Sequence, residues 1–369
     1  MNTSHQILNT DARDLSPIAS GSVQLVVTSP PYPMIEMWDE LFMSDSPAIK
    51  SYLEKFDGDS AFELMHLELD KVWHEMYRVL ADGCFACINI GDATRSLDGR
   101  FQLYSNHSRI TQACKKIGFD ILPVIIWKKT SNAPNKFMGS GMLPAGAYIT
   151  LEHEYILIFR KNGKRVFSTN DEKKSRNESA FFWEERNKWF SDTWDLKGVA
   201  QKITNGQSRD RSAAYPLDLA YRLINMYSLE GETILDPFIG TGTTSVAALS
   251  SVRNSIGIEI DNTLTPLIED AISTCKDSAN QKTLERINAH KQFVSEYNAE
   301  KGELKHRSSN YGFPVMTKQE TEILFYTINN ITKTSDKLEY VAEYSPLPKI
   351  SETFTSLTNS LSPQLELAI

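Results

Sequence analysis

The strongest constraint on the fold is the alternation of short apolar runs with amphipathic segments along most of the chain. Apolar residues recur at helical spacing in residues 61–80, 108–117 and 217–226. We predict strands at the apolar runs 23–27, 84–90, 121–127, 154–159, 233–235 and 255–259. Strands that alternate with helices in this way are typical of an α/β fold. The sequence therefore predicts a doubly wound, mainly parallel sheet with helices on both faces.

Composition bounds the class of protein. The chain has 369 residues, of which 41% are hydrophobic and 23% charged, with a formal net charge of −8. This fits either two domains or one α/β domain with insertions. The longest apolar stretch, residues 121–127, is far shorter than the roughly 20 residues of a membrane-spanning helix. Because Asp11, Arg13 and Asp14 occupy the place where an export signal has its apolar core, we expect a cytoplasmic protein with no membrane contact.

The four cysteines give no indication of a metal site. Cys84 and Cys87 form a C-x-x-C motif, but both lie in the predicted strand 84–90. Residues three apart in a strand point to opposite faces and cannot share a metal ion. No second Cys pair or His pair completes a zinc site, so we expect core cysteines and no metal.

Two regions interrupt the alternation of strands and helices. Residues 160–211 are rich in aromatic side chains and contain thirteen Lys or Arg against eight Asp or Glu, which makes them a basic insertion in an acidic chain. We expect Trp183 and Trp194 to form a small local core there. The chain after residue 276 is polar and ends in a Ser/Thr-rich tail, for which we expect surface helices and a loosely held end.

Residues 233–249 predict a strand, a glycine turn and a helix, an arrangement that binds nucleotide-like ligands. Gly240 and Gly242 allow positive φ and close approach of a ligand to the backbone, although an ordinary packing turn is the alternative. Glu259 follows Gly242 by seventeen residues, near the ~20 at which an acidic side chain meets a ribose diol. Asp236 would repel a pyrophosphate but suits an ammonium and a sulfonium group. The segment therefore predicts an S-adenosylmethionine site.

A second motif, Thr28-Ser29-Pro30-Pro31-Tyr32, follows directly on the predicted strand 23–27. It should lie at the carboxyl end of a strand, where open α/β sheets bind ligands. The two prolines stiffen the backbone, so that the Ser29 hydroxyl and the carbonyls of Ser29 and Pro30 form a fixed set of acceptors for a substrate NH2 group. Tyr32 offers a flat face for stacking a base. A polyproline turn that binds an aromatic groove is the alternative.

The two motifs together resemble those of the amino-methyltransferases of DNA, in the permuted order in which the catalytic motif precedes the cofactor motif. The resemblance covers residues 5–275. Other landmarks occur in the family's order at residues 9–12, 83–92, 127–129, 151–161, 194–196, 215–216 and 258–259. It implies a Rossmann-like fold and methyl transfer from S-adenosylmethionine to the exocyclic amine of a base flipped from double-stranded DNA. The form of the motif with Ser at position 29 is similar to that of enzymes acting on N4 of cytosine. Enzymes acting on N6 of adenine more often carry Asp at this position.

The resemblance and the charge pattern assign site residues. The expected catalytic residues are Ser29, Pro30, Pro31 and Tyr32. The expected cofactor contacts are Asp11, Asp236, Pro237, Phe238, Gly240, Gly242, Thr243 and Glu259, of which Thr243 is equally a plain helix cap. The expected DNA contacts are Lys128, Lys129, Asn132, Asn135, Lys136, Lys164, Arg165, Lys173, Lys174, Arg176, Arg209 and Arg211.

We expect four segments. Residues 1–160 form the catalytic half of the methyltransferase domain, 161–211 a target-recognition insertion, 212–275 the cofactor-binding half, and 276–369 a C-terminal extension. Residues 33–60 are predicted either as a lid over the active site or as an acidic surface loop. The resemblance implies a restriction-modification system, with a cognate endonuclease acting on the same DNA sequence as partner.

Three alternatives stay open. The first is an adenine N6 methyltransferase of the same fold. The second is an inactive S-adenosylmethionine-binding module that recognises DNA, which would not need the intact motif from Ser29 to Tyr32. The third is methylation of RNA or of a protein glutamine, although protein-directed relatives usually carry Asn in place of Ser29. Carbon methylation of cytosine uses a cysteine after a proline, and no cysteine of this chain follows one.

Overall fold

A computed structural model of the chain describes residues 1–129, 138–198, 215–335 and 337–348. The strands in these residues are β1 Asn2–Leu8, β2 Val23–Thr28, β3 Leu80–Ile90, β4 Ala93–Leu97, β5 Arg100–Tyr104, β6 Asp120–Ile121, β7 Ile125–Lys129, β8 Met138–Gly139, β9 Ala147–Tyr148, β10 His153–Arg160, β11 Thr193–Leu196, β12 Thr233–Asp236, β13 Asn254–Ile258, β14 His306–Arg307, β15 Pro314–Val315, β16 Tyr326–Lys333 and β17 Glu339–Pro346.

The helices cover both faces of the sheet. They are α1 Asp39–Asp45, α2 Pro47–Glu54, α3 Gly58–Val79, α4 Asn106–Ile117, α5 Asn170–Glu178, α6 Trp183–Trp189, α7 Leu217–Tyr227, α8 Thr243–Leu249, α9 Thr265–Thr274 and α10 Lys276–Lys301. Short 3-10 turns lie at Glu36–Trp38, Asn262–Leu264 and Lys318–Glu320. Within the described residues, no helix has the length and apolar character needed to cross a bilayer.

The central sheet has the order β11-β7-β10-β3-β2-β12-β13-β1-β17-β16, and β6 also pairs with β10. Neighbouring strands from β3 through β2, β12 and β13 to β1 are parallel. Strands β10 and β17 run antiparallel to their neighbours β3 and β1. The predicted doubly wound, mainly parallel α/β fold is therefore confirmed.

One predicted strand is split. The run 121–127 forms the end of β6 and most of β7, and residues 122–124 between them are in neither strand. Pro123 lies in this gap, and proline interrupts a ladder because it has no N–H to donate. The three predicted helices are present, and α4 ends before Gly118, which has a φ of +120°.

Apolar residues pack in separate layers on the two faces of the sheet. One core joins β2 and β3 to α3 and α4 through residues such as Val26, Trp73 and Ile110. A second core joins the other face to α7 and includes Leu219 and Leu223. Cys84 belongs to the first core and Cys87 to the second, so they point to opposite faces as predicted.

The basic insertion and the C-terminal extension differ from the predictions. Strand β11 belongs to the central sheet, and Trp194 is buried in the core beside α7 rather than in a separate local core. Trp183 remains 39% exposed. The C-terminal extension adds β16 and β17 to the sheet beside β1, and its long helix α10 packs against the insertion, where His290 stacks on Phe182 with ring centroids 3.7 Å apart. The Ser/Thr-rich tail lies outside the described residues.

Two buried histidines make the fold sensitive to acid. Burial lowers the pKa of His66 to about 3 and that of His5 to about 3, so both stay neutral in the folded chain. The unfolded chain binds protons below about pH 6.5, so these groups reduce stability as pH falls from 6.5 towards 3. We expect each to cost about 2 kcal/mol between pH 6.5 and pH 5.

We expect the substitution His66→Gln to reduce this acid sensitivity. In the wild type His66 Nε2 lies 2.9 Å from Asn106 Oδ1, and Gln keeps a donor for this oxygen. The urea midpoint of the wild type should fall more between pH 7 and pH 5 than that of the variant. His74→Gln is the matched control, because His74 is exposed on the same helix α3. An equal fall in the wild type and His66→Gln would contradict the prediction.

Candidate active site

The candidate active site lies at the carboxyl ends of the parallel strands. Because β2 pairs with β12, Thr28 at the start of the Ser29 motif meets Asp236 just before the glycine turn, although the two are 208 residues apart in sequence. Strand β1 brings Asp11 to the same edge, and β13 brings Glu259. The sheet order thus assembles residues that the sequence gives in three distant segments.

A cavity of about 430 Å³ opens at this edge. Its lining contains Ser29, Pro30 and Pro31 from the catalytic motif and Pro237, Phe238, Gly240 and Thr243 from the turn and helix. The segment predicted as a lid or an acidic loop folds into α1, α2 and a 3-10 turn, and residues from Met37 to Asp45 form one wall of the cavity.

The lining is strongly acidic. Arg13 is the one guanidinium among the lining residues, and it bonds Asp45 and Glu68, each at 2.8 Å. Burial alone would raise the pKa of Asp11, but hydrogen bonds from Arg13 outweigh it and lower that pKa. The carboxylates of the lining are Asp11, Glu40, Asp45, Glu68, Glu259 and Asp261. Such a lining suits a ligand with net positive charge. A ligand that carries a sulfonium, an ammonium and one carboxylate has such a charge.

Glu259 fixes the glycine turn. Its Oε2 accepts from the Gly240 N–H at 3.0 Å and its Oε1 from the Asp261 N–H at 2.9 Å. Burial raises the pKa of this carboxyl group, and these two hydrogen bonds oppose the rise. Gly242 has a φ of +91° and caps α8, so Thr243 is not the N-cap and is instead a lining residue. Gly242 itself packs on Ile268 rather than on the cavity.

Asp236 corrects a sequence-based expectation. It is 2% exposed and does not line the cavity. Its Oδ1 accepts from the Thr28 hydroxyl at 2.6 Å and the Phe238 N–H at 3.0 Å, and its Oδ2 accepts from Tyr215 at 3.0 Å and also from Thr244. Because Asp236 is buried outside the cavity lining and its oxygens are held by protein donors, this carboxylate does not face a ligand in the cavity. It joins the end of β2 to α8.

Two residues of the catalytic motif, Thr28 and Tyr32, lie outside the cavity lining, and the Thr28 hydroxyl bonds Asp236. Ser29 is half-buried on the cavity wall, whereas Tyr32 is not among the lining residues and its ring lies against Gly91. The Tyr32 hydroxyl lies 3.1 Å from the Ser29 hydroxyl and donates to Glu154 Oε2 at 2.9 Å. The stacking role predicted for the Tyr32 ring remains a prediction.

Sequence reasoning missed two residues of this cluster. Asn89 is 2% exposed and donates to Glu154 at 2.7 Å and to Tyr32 at 2.8 Å. Glu154 is 8% exposed and is paired with Lys129, whose ammonium also lies 4.8 Å from the Trp127 ring centre. Their positions at the sheet edge, Asn89 near the end of β3 and Glu154 near the start of the antiparallel β10, are the features that could have identified them.

The predicted DNA contacts divide between two edges of the sheet. Lys128 and Lys129 end β7, which runs antiparallel to β10, so they lie at the edge that carries Ser29. The chain after β10 emerges at the opposite edge, where Arg165 lies against Gly83 and pairs with Glu232.

Five predicted DNA contacts therefore lie away from the active site, because they are close to the amino end of β3. Lys164, Arg165 and Arg176 line a second cleft together with Gly83 and Cys84. Lys173 and Lys174 lie on the same helix as Arg176. The structure therefore places these five side chains at the edge of the sheet opposite to Ser29. The remaining expected contacts, Asn132, Asn135, Lys136, Arg209 and Arg211, lie outside the described residues.

Comparison with known proteins gives the family. The profile of the N6/N4 DNA methylase family matches residues 23–270, and the chain belongs to this family. It is 52% identical over 328 residues to the Type II methyltransferase M.MthZI of Methanothermobacter thermautotrophicus. The aligned region covers 88% of this chain and 91% of that protein. It is 50% identical over 281 residues to the Type II methyltransferase M.MjaI of Methanocaldococcus jannaschii, covering 73% and 91%.

A solved structure shares the fold. TTHA0409 of Thermus thermophilus, assigned as a DNA modification methylase and crystallised with S-adenosyl-L-methionine, is 33% identical with a TM-score of 0.54, over 72% of this chain and 93% of that one. The predicted family, fold and cofactor are thereby confirmed. The protein is an S-adenosylmethionine-dependent DNA methyltransferase of the N4/N6 amino class.

Proposed function

We propose that the protein methylates the exocyclic N4 amine of a cytosine flipped out of double-stranded DNA. The observation that carries this proposal is the position of Ser29 on the wall of the acidic cavity, beside the glycine turn. Ser29 supplies a neutral acceptor where adenine-specific relatives more often have Asp. Adenine N6 methylation is the competing outcome.

The chain's own contribution is to hold and activate the amine. Its lone pair is delocalised into the ring, which makes it a poor nucleophile. Hydrogen bonds from its two N–H groups to Ser29 Oγ and the Pro30 carbonyl favour a tetrahedral nitrogen and localise the lone pair. S-adenosylmethionine supplies an electrophilic methyl group. Because the amine is out of reach inside a duplex, the base must leave the stack.

We assign the cofactor to the acidic cavity. Asp11 is placed to meet its ammonium group, Phe238 and Gly240 its methionine side, and Glu259 its ribose hydroxyls. Pro237 and Thr243 complete the wall beside the turn. Asp236 acts indirectly, because its hydrogen bonds to Thr28 and Thr244 fix the ends of β2 and β12.

We place the DNA surface at the edge of the sheet that carries Ser29. Lys128 is exposed there, and Lys197 follows β11, which runs parallel to β7. The hairpin of β8 and β9 leaves Met142, Leu143 and Ile149 83%, 69% and 86% exposed. Apolar side chains of this kind enter gaps in a base stack in DNA-deforming proteins.

The cofactor assignment is tested by Glu259→Gln. The amide of Gln would direct an NH2 group at the N–H of Gly240 or Asp261, which removes one acceptor and distorts the turn. We expect S-adenosylmethionine to bind about 10- to 100-fold more weakly by calorimetry. Asp270→Asn is the control, because Asp270 is exposed on α9. Unchanged affinity in Glu259→Gln would contradict the assignment.

The function itself is tested in cells. Plasmid DNA from cells that express the protein is sequenced by a method that maps modified bases at single positions. We expect N4-methylcytosine at one position of one short sequence, and protection of that sequence from a cognate endonuclease, which is the partner we propose. N6-methyladenine at a fixed position would contradict cytosine specificity.

A further inference from the structure

We propose that Glu154 is a positioning residue, whose carboxylate sets the direction of the hydrogen bonds that reach Ser29. The inference rests on the proposed role of Ser29 as an acceptor for the target amine. Glu154 does not line the cavity, and it acts through Tyr32 and Asn89. The contacts involved are between side chains at the carboxyl ends of β2, β3 and β7 and the start of β10.

The first step is the state of the Glu154 carboxylate. Its Oε1 forms an ion pair with the ammonium of Lys129. An ionised carboxylate accepts hydrogen bonds and cannot donate. Its Oε2 accepts from the Tyr32 hydroxyl at 2.9 Å and from the Asn89 side-chain nitrogen at 2.7 Å. The single hydroxyl proton of Tyr32 is therefore directed at Glu154.

The second step follows because the Tyr32 hydroxyl proton is used in the hydrogen bond to Glu154. Tyr32 can then only accept at its other contacts. It accepts from Asn89 Nδ2 at 2.8 Å and from the Ser29 hydroxyl at 3.1 Å. Ser29 thus donates its proton towards Tyr32, and apart from a long contact of 3.5 Å from Asn89 Nδ2 its oxygen can accept from the substrate NH2 group. The reverse arrangement, with Tyr32 donating to Ser29, would use one of those lone pairs.

A buried atom supports a role beyond stability. Asn89 Oδ1 is buried and has no hydrogen-bond partner within the part of the chain that the structure describes. Such an orphaned acceptor costs folding free energy. The amide nitrogen faces Glu154 because an amide oxygen there would repel the carboxylate. The cluster therefore keeps a costly orientation that directs donors to Glu154 and Tyr32.

The test is a double-mutant cycle with Ser29. Glu154→Gln can donate to Tyr32 and so reverse the network, while it preserves side-chain volume. We expect the single-turnover rate at saturating DNA and cofactor to fall about tenfold or more, with unchanged dissociation constants for S-adenosylmethionine and DNA. In a Ser29→Ala background, Glu154→Gln should cause no further fall, because there is no hydroxyl left to orient.

Tyr32→Phe provides a second variant that keeps the ring and removes only the hydroxyl. It should slow the single-turnover rate, and adding Glu154→Gln to it should have no further effect. Glu152→Gln is the control, since Glu152 is exposed two residues away. The urea midpoint of each variant identifies loss of fold.

The outcomes separate the two hypotheses. If Ser29→Ala leaves the rate unchanged, the proposed catalytic site is wrong. If Ser29→Ala slows the reaction but the effect of Glu154→Gln multiplies in that background, or appears as weaker DNA binding, Ser29 keeps its role and the positioning role of Glu154 is overturned.

Discussion

Substitution of Ser29 by Ala should reduce single-turnover methyl transfer about 100- to 1000-fold. Ser29 carries the side-chain acceptor among the motif residues that line the cavity, and loss of its hydroxyl should leave one amine N–H without a partner in the transition state. Cofactor affinity should stay within about twofold, because the residues of the glycine turn are held by Glu259 and Asp236 rather than by Ser29. Rapid-quench transfer of a labelled methyl group and calorimetry with S-adenosylmethionine measure the two effects.

Ser22→Ala is the matched control, since Ser22 precedes the other end of β2 and its hydroxyl bonds the Ala19 carbonyl. Its rate and cofactor affinity should equal those of the wild type. Parallel loss of rate and cofactor affinity in Ser29→Ala would contradict a specific role in activating the amine, because it would show that Ser29 supports the cavity as a whole.

The second large effect is expected for Asp236→Ala, which should destabilise the fold by about 3 to 5 kcal/mol because it breaks a buried hydrogen-bond network. The substitution leaves the hydroxyls of Thr28, Tyr215 and Thr244 and the Phe238 N–H without their shared acceptor in a buried site. Burial raises the pKa of Asp236, and those hydrogen bonds oppose the rise. Because the carboxylate joins β2 to the glycine turn, cofactor binding and catalysis should fall together.

Urea denaturation and calorimetry with S-adenosylmethionine test this prediction. Saturating cofactor should recover part of the lost stability by mass action, which separates a distorted cavity from general unfolding. Asp120→Ala is the control, since Asp120 is 47% exposed and pairs with Arg160 at the opposite edge. Wild-type stability with selectively weakened cofactor binding would instead indicate that Asp236 contacts the ligand directly.

Local sequence patterns were sufficient to predict the parallel core of the fold. Strands β2, β3, β12 and β13 are apolar runs, and α3 and α7 have the spacing of amphipathic helices. The glycine turn and the Ser29 motif could be placed at strand ends for the same reason. Their contact across about 200 residues followed from the rule that ligands bind at the carboxyl ends of such strands.

The outer strands could not be predicted because their pairing is decided by distant partners. Strand β1 reads Asn-Thr-Ser-His-Gln-Ile-Leu, with little apolar character, yet it pairs with β13 on one side and β17 on the other. Buried His5 bonds Thr3 and Ser255, which satisfies its polar atoms inside the sheet. No local pattern specifies such pairs.

The direction in which polar side chains point could not be predicted from the sequence either. Asp236 precedes the glycine turn, which suggested a ligand contact, but its partners Thr28 and Tyr215 turn it inwards. Charge counting over residues 160–211 suggested one DNA-binding face, whereas Arg165 lies beyond the amino end of β3 and Lys197 at the carboxyl end of β11. Charge along a sequence does not report which edge of a sheet the chain has reached.

The central claim, amine methylation of cytosine through Ser29, is tested most directly by identifying the product. Duplex DNA is incubated with the protein and deuterated S-adenosylmethionine, digested to nucleosides, and analysed by mass spectrometry. We expect labelled N4-methyldeoxycytidine with the wild type and at least about 100-fold less with Ser29→Ala. Labelled N6-methyldeoxyadenosine, or full yield from Ser29→Ala, would contradict the claim.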